Sequence, residues 1–160
     1  MKSWSFDVQL PFSNIHTVFS NRHVLDSVHG TGLWEFNDWK ELEDGSFVRT
    51  GNIKGVEVPT FARFLNKGKK YIVCHVDQRY IPGHDSIRID STTTPKIAGT
   101  TAFVTNSSSI VVYNGGSDVC HVHGKYTNTT SLPHPLGSLA VDVMDEMSED
   151  TVGYLQDALR

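Results

Sequence analysis

The chain has 160 residues, 38% of them hydrophobic and 20% charged, with a formal net charge of −4. That composition suits one globular unit with a full core, and it excludes a disordered chain and bulk electrostatic affinity for nucleic acid. No stretch reaches the roughly 20 apolar residues that span a bilayer.

Residues 1–12 alternate polar and apolar positions and lack the apolar segment of a secretory signal. The cysteines, Cys74 and Cys120, form no disulfide framework and favour a reducing compartment. The expected address is cytoplasmic, with one basic, aromatic segment suited to the periphery of a membrane.

Trp4, Phe6, Val8 and Leu10 alternate with Ser5, Asp7 and Gln9, the pattern of a half-buried strand that Pro11 stops. Ser13 stands where a helix cap belongs, and Phe12, Ile15, Val18 and Phe19 follow at helical spacing. Residues 23–28 make a second short helix, closed by Gly30 and Gly32.

From Leu33 the period returns to two, with Trp34 and Phe36 on one face of a strand running towards Glu43. Asp44-Gly45 predicts a hairpin turn because glycine tolerates positive φ, and residues 47–54 form the return strand. Further strands are expected over 71–80, 86–93, 100–105, 110–113 and 119–126, two of the short ones open to being one bent strand. Pro82-Gly83, residues 106–109 and Gly115-Gly116 supply turns between them.

After Pro133 and Pro135, Leu136, Leu139, Ala140, Val143, Met144 and Met147 form one apolar stripe, which Val152, Leu155 and Leu159 continue. Acids take much of the opposite side, so the helix must bury its stripe against something. Residues 148–153 are its weak point, where the helix is open to a kink. No repeat or linker divides the chain, and a single domain over 1–160 follows.

The pieces Trp4-Ser-Phe-Asp-Val, Pro11-Phe-Ser-Asn-Ile-His-Thr-Val-Phe-Ser and the helix from Leu136 fall in a telling order. A strand, two short helices, an antiparallel run of strands and one long last helix resemble the START-like (SRPBCC, Bet v 1-like) superfamily. That group includes pollen-allergen-like and polyketide-cyclase-like proteins. The resemblance is one of topology and spans Trp4 to Leu159. The glycine-rich loop of the pollen-allergen branch has no counterpart here, since Gly45, Gly51 and Gly55 are scattered.

The resemblance implies an α+β helix-grip fold, in which a curved antiparallel sheet of seven or so strands wraps the C-terminal helix. Between them it implies a cavity for lipids, sterols or other hydrophobic molecules. Tyr71, His75, Arg79, Tyr80 and Tyr113 lie on the expected strands and are candidates to orient a ligand's polar end. Met144 and Met147 on the helix stripe are candidates for its apolar part. The plain alternative is that the rings fill a packed core and Arg79 faces water.

Phe61, Phe64 and Leu65 cluster together, with Arg63, Lys67, Lys69 and Lys70 around them. Rings beside basic side chains suit an anionic bilayer, each lysine near the surface contributing about 1 kcal/mol. The alternative is a short turn whose phenylalanines pack on the sheet while the lysines stay solvated.

His121 and His123 point to one side of a strand, and their spacing after Gly115 echoes the first half of a cupin metal motif. The acid that such a motif needs next is replaced by Gly124-Lys125-Tyr126-Thr127. Two ligands rarely make a site, so no metal is expected. No cofactor is expected either, as glycine-rich phosphate loops and a Gly-x-Ser-x-Gly elbow are missing from the sequence.

Binding of a hydrophobic small molecule is therefore the first functional expectation. A cyclase- or hydrolase-type enzyme using His75, Asp77 and Arg79 inside the cavity is the second. A ligand-free interaction domain, which a solidly filled interior would favour, is the third.

Overall fold

The computed structural model describes residues 1–15, 33–58, 60, 63–64, 67–96 and 104–159. Its strands are β1 (Lys2–Val8), β2 (Leu33–Phe36), β3 (Lys40–Glu41), β4 (Phe47–Glu57), β5 (Tyr71–Pro82), β6 (Ser86–Lys96), β7 (Val104–Asn114) and β8 (Cys120–Thr130). One long helix, Leu136–Ala158, follows them. The strands form an eight-stranded open antiparallel sheet in the order β1-β8-β7-β6-β5-β4-β2, with β3 paired separately to β4.

The fold is thus α+β, with eight strands among the described residues where the sequence predicts seven or so. Residues 12–15 are helical, starting one residue before the anticipated cap at Ser13. The remainder of that helix and the second one, over 23–28, lie outside the described residues.

The faces of the sheet differ sharply. Ile87, Ile89, Val112, Cys120, Val122 and Val8 cluster with Leu155 and Leu159 of the helix, which defines an inner face. The outer face carries ion pairs at the surface, among them Arg88 with Asp90 at 2.9 Å and His121 with Asp7 at 2.6 Å. Burying a Val, Ile or Leu side chain contributes about 1.5–3 kcal/mol, and that gain is what fixes which face turns inward.

The helix lies over β8 and β7. It runs back along β8, because it starts beside Thr130 and its far end reaches Val8 and Cys120. Mid-helix contacts are polar. Asn128 Nδ2 donates to Asp145 Oδ1 at 2.8 Å and Asn106 Nδ2 to Asn128 Oδ1 at 2.7 Å. Lys2 adds ion pairs to Asp145 and Glu149 at 3.7 and 3.2 Å.

Through the weak point at 148–153 the helix is unbroken. Ser148 Oγ and Thr151 Oγ1 donate to the carbonyls of Met144 and Met147, four residues back, and the helix continues to Ala158. Of the apolar stripe, Ala140, Leu155 and Leu159 are buried, whereas Leu139 and Met147 stay exposed at 45% and 37%.

Two strand boundaries depart from the sequence reading for physical reasons. The strand expected over 33–43 is two pieces. Phe36 lies opposite Gly51, and Lys40 lies opposite Val48, so one extra residue sits between the pairings. Such a bulge flips the side-chain phase. Trp39 is thereby turned to the same face as Phe36 instead of the opposite one. Of the short strands expected over 100–105 and 110–113, which the sequence leaves open to being one, the described residues form a single strand, Val104–Asn114. Asn106 to Ser109 are its middle and not a turn.

The helix is anchored at one end by apolar burial and at its middle by hydrogen bonds. Leu155→Ala should cost about 2–5 kcal/mol of stability, and Asn128→Ala only about 1 kcal/mol, because water reaches Asp145. Urea unfolding of both variants checks this ranking.

Candidate functional site

The inner face of β2, β4 and β5 holds an aromatic cage around one cation. At Gly51 an added Cβ would strike the ring of Phe36 and the carbonyl of Glu35, so only glycine lets β2 lie this close. Phe36 fills that space and presents its ring to Arg49, whose guanidinium carbon is 4.1 Å from the ring centroid. Trp39, brought inward by the bulge, stacks at 4.2 Å. Arg49 is 7% exposed, and its Nε donates to Gln78 Oε1 at 2.7 Å. A guanidinium held by aromatic faces keeps its orientation while its remaining N–H groups form a planar fork.

Trp34 stacks on Phe36, and Tyr80 packs between Trp39 and Phe47 at centroid distances of 6.0 Å each. Burial pushes the Tyr80 hydroxyl up to about 12 and the Cys74 thiol up to about 11. Both groups are therefore neutral over the whole physiological range.

Register extends this site across the sheet. Arg49 pairs with Gln78, Gln78 with Ser91, Ser91 with Ser108 and Ser108 with Tyr126. Paired residues share a face, so a row of polar side chains crosses the inner face from β4 to β8. Gln78 Nε2 donates to Ser91 Oγ at 3.3 Å, and the Tyr126 hydroxyl reaches the Asp145 carbonyl at 3.5 Å. The adjacent row on one side is apolar: Phe47, Tyr80, Ile89 and Ile110, ending at Gly124 and Trp4. On the other side lie Val76, Thr93, Asn106 and Asn128. A band of polar side chains thus crosses the inner face beside an apolar row, and buried Val76, Cys74 and Val104 lie on its other side.

Of the residues singled out in the sequence, Tyr80 lies on this face, and Met144 is half-buried on the helix. Tyr71, His75, Arg79 and Tyr113 have the opposite strand phase and point outward. Tyr71 and Tyr113 are 57% and 46% exposed. His75 pairs with Asp77 at 3.0 Å and Arg79 with Asp44 at 2.6 Å. The hydroxyl and amide of Ser46, and then Arg79, hold the Asp44 carboxyl below its usual range. His75, Asp77 and Arg79 therefore lie on the outer face of the sheet, away from the helix.

Tyr113 and His123 meet edge-on at 5.6 Å and line a shallow outer groove of about 440 Å³ with Ser3, Ser109 and Lys125. Among the described residues no group of three His, Cys, Asp or Glu side chains is placed to hold a metal. His121 is engaged by Asp7. Cys74 and Cys120 are both buried free thiols, on strands that are not neighbours. Of the basic loop, Phe64, Lys67, Lys69 and Lys70 are exposed, while Phe61 and Leu65 lie outside the described residues.

Arg49 and Gln78 escaped the sequence reading although the signal was present. Arg49 has the phase of Phe47 and Ile53, and Gln78 has that of Val76 and Tyr80. A charged or amide group at a core phase of a strand is the mark of a buried polar site.

These features define the class: an open antiparallel sheet with one long helix across its inner face, compatible with a helix-grip topology. No family model and no curated protein matches the chain. It is similar in structure to a conserved protein from Geobacillus kaustophilus, with a TM-score of 0.53 and 7% identity over 98% of this chain and 93% of that one. It is also similar to protein Ms6760 from Mycobacterium smegmatis, with a TM-score of 0.52 and 11% identity over 99% and 89%. At these identities the likeness is one of fold. Among the described residues no helix is long and apolar enough to cross a membrane.

The raised values of Cys74 and Tyr80 set a sign for alkaline stability. Both groups hold their protons more tightly folded than unfolded, from ordinary values of 9.0 and 10.0. Their contribution is complete below about pH 9 and is lost as pH rises through 11 and then 12. Urea midpoints should fall across that window, and Cys74→Ala with Tyr80→Phe should flatten the fall.

Proposed function

We propose that the protein is a START-like binding module that holds a small hydrophobic molecule between the inner face of the sheet and the long helix. The ligand carries one hydrogen-bond-accepting or anionic end. The observation that carries this reading is the polar row ending on Arg49. A core built only for stability gains most from apolar side chains, and each buried polar group costs free energy unless it is bonded.

Here Arg49, Gln78, Ser91 and Ser108 cross the inner face beside the row of Phe47, Tyr80, Ile89 and Ile110. That division matches an amphipathic molecule, with its chain or ring on Tyr80, Ile89 and Ile110 and its polar end on Arg49. The strand order, with β1 beside β8 and the helix returning over β8, supports the START-like assignment. A charge-assisted hydrogen bond in such a setting contributes about 1.5–3 kcal/mol.

The test uses anilinonaphthalene sulfonate, a hydrophobic anion, with a long-chain fatty acid as competitor. The protein should bind the probe, the fatty acid should displace it, and Arg49→Met should weaken both about tenfold or more. Ser91→Phe, which fills the row without touching the charge, should do the same. Near-UV circular dichroism confirms that each variant keeps its packing. Probe binding equal in wild type and in both folded variants would remove the proposal.

A further inference from the structure

The segment joining β4 to β5 holds the Phe64 ring outside the protein. Val58 N donates to Lys70 O at 2.8 Å, which continues the β4–β5 ladder past the ends of both strands and closes the base of the loop. Arg63 turns back to that base, its Nε donating to the Val58 carbonyl at 3.1 Å and its Nη2 reaching Glu57 at 3.4 Å. Gly68 N donates to the Arg63 carbonyl at 2.8 Å, with Lys67 and Gly68 both in the left-handed region at φ 55° and 77°.

With its flanks pinned in this way, Phe64 is 62% exposed and Tyr71 57%. Lys67, Lys69 and Lys70 are exposed around them, and Lys70 Nζ lies 5.4 Å from the Tyr71 ring centroid. Glu57 lies 3.9 Å from Lys70.

We propose that this loop docks the protein reversibly on an anionic lipid bilayer, Phe64 entering the headgroup layer while Lys67, Lys69 and Lys70 meet lipid phosphates. The proposal goes beyond the binding reading and does not depend on it. Charge decides for a bilayer: three lysines crowd a single loop of a chain whose net charge is −4. Among the described residues the exposed apolar groups here are the Phe64 and Tyr71 rings, a small footprint with a basic fringe. A stable protein interface needs about 1,000 Å² or more, whereas two weak signals, one apolar and one basic, suffice for reversible membrane association. Each basic residue at an anionic surface strengthens partitioning about fivefold.

The purified chain is sedimented with vesicles of phosphatidylcholine alone and of phosphatidylcholine with phosphatidylserine. Binding should require phosphatidylserine and weaken as salt rises. Lys67→Glu, Lys69→Glu and Lys70→Glu together should reduce it about a hundredfold, and Phe64→Ser about tenfold. Phe64→Trp should retain binding and show a blue-shifted emission on vesicles.

These positions are exposed, so the variants should unfold at the wild-type urea midpoint. Wild-type protein that ignores phosphatidylserine, or variants that bind as wild type does, would overturn the proposal. So would a wild-type dimer that Phe64→Ser converts to monomer without any vesicle binding, which would assign the patch to a second copy. Vesicle binding and naphthalene sulfonate binding are scored separately, so either proposal can fail while the other stands.

Discussion

The pairing of β1 with β8 is the constraint on which the other features rest. It joins Lys2–Val8 to residues more than a hundred positions later, Val8 opposite Cys120 and Lys2 opposite Tyr126. Without it, the far end of the helix would lose Val8 from its floor, and Lys2 would not reach Asp145 and Glu149. Closing so long a stretch of chain costs only slowly more than closing a short one. The apolar cluster of Val8, Val112, Val122, Leu155 and Leu159 offsets that cost. Trp4 contributes in a way specific to this pairing. Its indole occupies the space above Gly124, where any Cβ would collide with the ring.

The hairpin registers from β4 to β8 order the rest of the inner face into cross-strand rows. Every strand after β4 is joined to its predecessor in antiparallel register, so one residue per strand falls in each cross-strand row. Arg49, Gln78, Ser91, Ser108 and Tyr126 are one such row, and Phe47, Tyr80, Ile89, Ile110 and Gly124 are the next. Polar groups in the first row bond to one another and to the helix, which limits their desolvation cost. The same row therefore serves packing and recognition.

Much of this was legible in the chain. Period-two alternation located β1 and most of β5, β6 and β8, and Asp44-Gly45 marked a turn that the structure keeps, Gly45 having φ 83°. The amphipathic stripe located the helix. Legibility failed where both faces of a strand are polar. Asn106-Ser107-Ser108-Ser109 reads as a turn because nothing alternates, yet Asn106 and Ser108 face the helix and the polar row while the other two face outward.

It failed again at the bulge between β2 and β3. A one-residue slip is invisible in composition, and it decides that Trp39 faces Arg49. Residue type alone does not give strand phase, and Tyr71, His75, Arg79 and Tyr113 all have the outward one. The inward cation was one strand earlier.

The broken edge beside β4 has a consequence for how the molecule behaves in a crowded solution. β2 and β3 together cover β4 with four and two paired residues, and Asn37 hooks to Thr50 between them through both backbone and side chain. A fibril seed needs a long, flat run of unsatisfied amides on which an incoming chain can lay its own backbone. This rim offers only short interrupted stretches set at different registers. Self-propagating polymerisation from that side is thereby discouraged by geometry, with no need for a charged gatekeeper.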